Sequence, residues 1–84
     1  MYTVYIIQSQ VTGKYYKGQT NDLARRLKEH NNSEEKATSG GAPWVLVFSA
    51  VVSTRSAAME LERKVKNITS KKKMEAFLMK YRDQ

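Results

Sequence analysis

The sequence predicts an α+β fold: a small three-stranded antiparallel sheet flanked by helices, in the order β-β-α-β-α-α. Three observations lead there. YTVYIIQ and YYKGQT are rich in β-branched and aromatic residues and flank a Thr-Gly turn signal, which reads as a hairpin. WVLVFSAVV is a near-continuous apolar run of strand type. The segments DLARRLKEH, RSAAMELERKVK and KKKMEAFLMKY carry helical rather than strand periodicity. A chain of 84 residues has room for one core, so a single domain over residues 1–84 is expected.

The first strand covers residues 2–8 and the second, after a longish loop, residues 15–20. Gly18 lies inside the second strand, where a missing side chain signals a bulge or the close approach of another group. Thr20 or Asn21 can cap a helix that starts near Asp22, whose charge suits the positive end of the helix dipole. On that helix Leu23, Ala24 and Leu27 set the core direction. Arg26 and His30 share one flank, one turn apart, and Arg25 points to solvent. Residues 31–43, NNSEEKATSGGAP, read as a surface loop. Residues 44–52 are expected to form the most buried strand. Ser53 or Thr54 can cap the second helix, whose stripe of Ala58, Leu61, Val65 and Ile68 faces the core. Thr69 and Ser70 interrupt the pattern, and a third helix follows with Phe77, Leu78 and Tyr81 inward.

Composition narrows the function. There is no cysteine, which excludes a disulfide scaffold, a thiolate metal site and a cysteine nucleophile, and which suits a reducing cytoplasm. A single histidine cannot build a multi-histidine centre. The start of the chain lacks the basic and apolar regions of a signal peptide, and no apolar run is long enough to span a bilayer, so a soluble protein is expected. The formal net charge of +7 points to a polyanionic partner, nucleic acid before an anionic membrane surface. Residues 55–73 hold seven basic against two acidic side chains, so the excess sits on the second helix and its junction with the third.

Chemistry-bearing residues are few. Tyr5 and Tyr16 lie on adjacent strands, Gly18 follows Tyr16 by two, and Arg26 and His30 share a helix flank. Glu62 sits at the edge of the second helix's buried stripe, whereas Glu60 faces away. Taken singly, each has an ordinary structural explanation. Strand tyrosines pack, Arg26 can pair with Glu29, and Glu62 can pair with Lys66 one turn on.

In order and spacing, however, the chain resembles the GIY-YIG nuclease superfamily, in particular its small stand-alone members. The first signature stands as Thr3-Val4-Tyr5 and the second as Tyr16-Lys17-Gly18, with Thr3, Val4 and Lys17 in place of the Gly, Ile and Ile of the family name. Then come Thr20, the helix DLARRLKEHN with Arg26 and His30 four apart, KATSGGAPWVLVF, and RSAAMELERKVK, in which Glu62 takes the place of the family's metal-binding Glu. The Asn that many members carry further on has no clear counterpart in ITSKKKMEAFLMKYRDQ.

The resemblance implies a divalent-metal-dependent endonuclease that hydrolyses phosphodiester bonds of DNA. Branched or damaged DNA in repair or recombination is the implied setting, and RNA stays open. Tyr5, Tyr16, Arg26, His30 and Glu62 would be catalytic. One suitable carboxylate, Glu62, favours a single Mg²⁺ or Mn²⁺ ion. Arg26 would neutralise the scissile phosphate with its planar fork. Tyr5 is the candidate general base and Tyr16 its rival. A phenol with a reference pKa of about 10 needs nearby cations to favour tyrosinate, a role open to Lys17 and Arg26. His30 would orient a tyrosine or relay a proton. Lys17, Arg63, Lys66, Lys71, Lys72 and Lys73 are the candidate nucleic-acid contacts. The alternatives are a catalytically inactive nucleic-acid-binding module of the same fold and, less favoured by the charge, a protein-binding accessory domain. Oligomeric state is open.

Overall fold

A computed structural model describes residues 1–82. The elements run β1 (Tyr2–Ser9), β2 (Tyr15–Thr20), α1 (Leu23–Asn31), β3 (Trp44–Val52), α2 (Arg55–Lys66) and α3 (Lys71–Arg82), with a short 3-10 turn, Lys36–Thr38, in the connection before β3. The sheet is antiparallel with order β2-β1-β3, as the sequence predicts.

The burial of the strands departs from expectation. β1 is the central strand, and Val4, Tyr5, Ile6 and Ile7 are each at most 1% exposed. The apolar run of β3 lies on an edge, where Val45, Leu46 and Val51 reach solvent at 40%, 40% and 61% exposure. The reason is topological. β1 is paired on both sides and covered on both faces, which requires side chains of both parities to be apolar. β3 has one free edge, and the β1–β3 register slips between Ile6 and Ile7, so its apolar run is not seated along its whole length.

The two sheet faces carry different cores. Val4 and Ile6 pack with Phe48, Ala58, Val65 and Met74 beneath α2 and α3, a wholly apolar cluster. Tyr5 and Ile7 face the other way and pack with Trp44 against Leu23 and Leu27 of α1. Among the described side chains of α3, Met74 is buried and Phe77 and Leu78 are half-buried; Tyr81, expected inward, is 45% exposed and lays its ring on Phe48 and Phe77 at 4.7 and 4.8 Å.

Local signals set the helix starts. Asp22, rather than Thr20 or Asn21, caps α1 by accepting from the Arg25 N–H at 3.1 Å, while Thr20 Oγ1 accepts from the Asp22 N–H. Thr54 caps α2 by accepting from the Ala57 N–H. Ser70 Oγ accepts from the Lys73 N–H at the start of α3. The connection between α1 and β3 is fastened at several points. Asn31 grips the backbone of Trp44 in both directions, Ser9 Oγ donates to Gly41 O at 2.6 Å, and the indole N–H of Trp44 donates to Thr38 O at 3.1 Å. Although polar in sequence, this connection therefore holds a fixed position over the Tyr5 face.

Candidate active site

The antiparallel register places Tyr5 opposite Gly18 and Ile7 opposite Tyr16. Side chains alternate across a strand, so Tyr5, Tyr16 and Gly18 share the face covered by α1. Gly18 is there because Tyr5 is. A Cβ at position 18 would stand 2.8 Å from the Tyr5 hydroxyl and 3.0 Å from its Cζ. Of the two readings of Gly18, close approach is the one realised; the register irregularity lies between β1 and β3 instead.

From α1, the expected core direction is turned. Ala24 is exposed, and the inward side runs Leu23, Arg26, Leu27 and His30, a helical i, i+3, i+4, i+7 stripe in which two positions are polar. His30 is fully buried beside both tyrosines, with ring centroids 5.8 Å from Tyr5 and 4.8 Å from Tyr16. Its Nε2 lies 2.9 Å from the Tyr5 hydroxyl and its Nδ1 lies 2.8 Å from Thr38 Oγ1. Burial, then the positive charge of Arg26, push the His30 pKa below its usual value, so the ring is neutral at physiological pH.

Arg26 is clamped by two carboxylates, Glu29 at 3.1 Å and Glu35 at 2.9 Å. Burial works against its charge, but the bonds to Glu35 and Glu29 and the nearby Tyr5 outweigh that and raise its pKa further. Glu35 in turn is held below the usual carboxylate range by its hydrogen bond to Arg26. For Tyr5, burial pushes the pKa up, and the neighbouring Arg26 only partly offsets it. Cations therefore do not favour tyrosinate at Tyr5, contrary to expectation, for two reasons. Desolvation wins at Tyr5, and Lys17 is absent from its surroundings. Lys17 pairs with Ile6 in the register, so it projects to the opposite face, where its ammonium donates to Ile68 O at 2.7 Å beyond the end of α2.

Glu62 stands apart from this cluster. It packs at the β2 side of the other face, its side chain 15% exposed, where Oε2 accepts from Gln19 Nε2 at 2.7 Å and Oε1 pairs with Lys66 at 2.9 Å. An open groove runs past it, lined also by Arg55, Ser56, Arg63, Asn67 and Glu60; Glu60, expected to face away, is exposed but borders the same groove. Among the described residues, no hydrogen bond or ion pair links Glu62 to Tyr5, Tyr16, Arg26 or His30. The nearest electrostatic tie is Lys66: its bond to Glu62 raises its pKa, with a smaller contribution from Tyr16. Oxygen donors suited to a hard cation line this groove, the carboxylates of Glu62 and Glu60 with Ser56 and Asn67, although both oxygens of Glu62 are engaged by Gln19 and Lys66. Of the basic candidates, Arg63, Lys71, Lys72 and Lys73 are exposed, whereas Lys66 is ion-paired.

Thr38, Glu35 and Gln19 have no assigned role in the sequence reading. Thr38 and Glu35 sit in a polar connection whose fold is set by distant partners, so no local pattern marks them. Gln19 carried a usable signal: it shares strand parity with Lys17, the parity that faces α2.

Residues 1–75 match the family model described as the GIY-YIG catalytic domain. The chain is 40% identical over 73 residues to a UPF0213 protein of Haloquadratum walsbyi, covering 86% of this chain and 81% of that one. It is 38% identical over 71 residues to the UPF0213 protein YhbQ of Escherichia coli, covering 83% and 70%. The solution NMR structure of a UPF0213 protein of Bacillus halodurans superposes with a TM-score of 0.58 at 33% identity, over 94% of this chain and 84% of that one. Shared sequence across most of the length, and a shared backbone path with one of these relatives, mean that the chain belongs to the GIY-YIG nuclease family, alongside the small UPF0213 proteins.

Proposed function

We propose that this protein is a single-domain endonuclease that hydrolyses DNA phosphodiester bonds with one divalent cation, Mg²⁺ or Mn²⁺. The observation that carries the reading is the convergence of Tyr5, Tyr16, Arg26 and His30 on one face of the sheet, with the Tyr5 hydroxyl 2.9 Å from a neutral imidazole nitrogen. A phosphodiester resists attack because it is anionic, so hydrolysis needs a base for the water and a positive group on the phosphate. Arg26 supplies the second, held in place by Glu29 and Glu35 until a phosphate oxygen takes over part of its fork. Tyr5 supplies the first in a form that does not require tyrosinate beforehand. As it takes a proton from water, it passes its own to His30 Nε2. Glu62 would hold the cation, which when bound neutralises charge developing on the phosphate and leaving oxygen. Tyr16 is half-exposed where Tyr5 is buried, and that accessibility is the specific support for Tyr16 as the base instead.

The test is incubation of the full chain with supercoiled and branched DNA, with and without Mg²⁺. Cleavage that requires metal and is lost in Glu62→Ala and Arg26→Ala is expected. No cleavage by the wild type, or equal cleavage by Glu62→Ala, refutes the proposal. Comparing Tyr5→Phe with Tyr16→Phe decides the base.

One observation favours a second reading, a binding module without turnover. The charged site residues are already paired internally, Arg26 with two carboxylates and Glu62 with Lys66. Salt-dependent DNA binding with no metal-dependent cleavage is the result that selects it.

A further inference from the structure

Tyr5, His30 and Thr38 form a buried chain of hydrogen bonds, each residue at most 1% exposed. The direction of that chain can be read from its Thr38 end. There the Thr38 hydroxyl reaches Glu35 O at 3.3 Å, and a carbonyl can only accept, so the hydroxyl proton is spent there. The Thr38 oxygen is then left to accept from His30 Nδ1, 2.8 Å away, which places the imidazole proton on Nδ1. With that proton on Nδ1, Nε2 carries only a lone pair, so the Tyr5 hydroxyl 2.9 Å away is the donor of that bond. The Thr38 end thus sets the tautomer.

We propose that Thr38 is a positioning residue that holds His30 as the Nδ1–H tautomer, so that Nε2 presents its lone pair to the Tyr5 proton. With the opposite tautomer, Nε2 would carry a hydrogen aimed at the phenol and could not take a proton from it. Thr38 is itself fixed from outside the site. Its backbone N–H donates to Glu35 O, its carbonyl accepts the Trp44 indole N–H, and Trp44 is gripped by Asn31. The connection between α1 and β3 is thus the part that orients the histidine. The catalytic meaning of this tautomer rests on the hydrolytic reading above, whereas the tautomer itself does not.

His30 is the single histidine of the chain, so its ring nitrogens can be assigned without ambiguity in the uniformly ¹⁵N-labelled full-length protein. At pH 8 the wild type is expected to show a protonated Nδ1 and an unprotonated Nε2, with the Nδ1–H proton protected from exchange and close to the Thr38 methyl. Thr38→Val keeps the shape and removes the acceptor. It is expected to move the tautomer ratio about tenfold toward Nε2–H, the scale set by one net hydrogen bond, and Thr38→Ser is expected to restore it. A protonated Nε2 in the wild type overturns the proposal, and that measurement needs no variant to fold. An unchanged ratio in a folded Thr38→Val, judged by its backbone amide spectrum, overturns it as well. If the tautomer behaves as stated and the wild type cuts no DNA under any condition, the hydrolytic reading falls while the role of Thr38 stands.

Discussion

Substituting Gly18 by Ala tests how the second signature serves the first. No positive φ is required at this position, so an alanine backbone is allowed and the effect comes from contact alone. The added methyl would stand 2.8, 3.0 and 3.2 Å from the Tyr5 hydroxyl, Cζ and Cε1. A side-chain tip in water would move aside at little cost. The Tyr5 ring cannot, because it is 1% exposed, boxed by Ile7, Trp44, Leu23 and Leu27, and tied to His30. Overpacking of this kind costs about 1–3 kcal/mol, against which the lower chain entropy of Ala returns about 0.5–1 kcal/mol. A net loss of about 0–2.5 kcal/mol, centred near 1, is therefore expected, each kcal/mol lowering Tm by roughly 4–8 °C for a domain of this size. Urea unfolding measures it, and the imidazole ¹⁵N signals of His30 report whether Tyr5 has shifted. Gly13→Ala is the control, since Gly13 has φ +77° and nothing within 4 Å of its would-be Cβ. It should destabilise through backbone strain and leave the His30 signals unmoved. Unchanged stability together with unmoved His30 signals in Gly18→Ala would refute the close-approach account.

Stability should fall as the pH drops below about 6.5, because His30 stays neutral in the fold while the unfolded chain takes up a proton. The slope is at most about 1.4 kcal/mol per pH unit, from about pH 6.5 down to the lowered folded pKa, and His30→Gln should flatten it between pH 6.5 and 5.5; an equal slope in the variant counts against a buried neutral imidazole. Glu35→Gln removes the tighter of the two clamps on Arg26 and should strengthen low-salt binding of a short DNA duplex severalfold, whereas weaker binding would show that Glu35 presents Arg26 rather than restrains it. Lys66→Gln frees Glu62 Oε1 from its resident ammonium, so Mn²⁺ should bind several times more tightly by paramagnetic relaxation of the Glu62 amide, and an unchanged affinity would place the metal elsewhere. Replacing Lys71, Lys72 and Lys73 together by Ala should lower the slope of log K for DNA binding against log salt by about 2–3 if all three contact phosphates.

Local periodicity carried nearly all of the secondary structure. Residues 15–20 and 44–52 are the strands predicted, and the helices begin within a residue of their expected starts. Burial was less legible, for a reason visible in β1 and β3. A nine-residue apolar run looks like the centre of a sheet, but strand order is decided by which neighbours pair, and the sequence of one strand does not record that. YTVYIIQ, shorter and with two tyrosines, is central because the hairpin places β2 on one side and the return through α1 places β3 on the other. The α1 stripe misleads by the same logic. Choosing Ala24 over Arg26 and His30 for the core assumes that inward means apolar, and that assumption fails where the core contains the chemistry.

That failure has a physical basis in the way the sheet divides its work. Beneath α2 and α3 the packing is Val4, Ile6, Phe48, Ala58, Val65 and Met74, with no polar side chain among the buried members, and it supplies the hydrophobic stabilisation that a small domain needs. On the other face Ser9, His30 and Thr38 are buried beside Tyr5 and Trp44. Burying them is tolerable only because every buried polar side-chain atom among the described residues has a hydrogen-bond partner. Those partners come from β1, from α1 and from the connection between α1 and β3, so none of the three can move without stranding a polar group. The same desolvation that raises the Tyr5 pKa and lowers that of His30 thus keeps the proton on the phenol and the lone pair on the imidazole. A water-filled site would leave both groups near their ordinary values and free to turn. Here the cost of burial is what orders the pair, and the apolar face under α2 and α3 is what allows the domain to bear it.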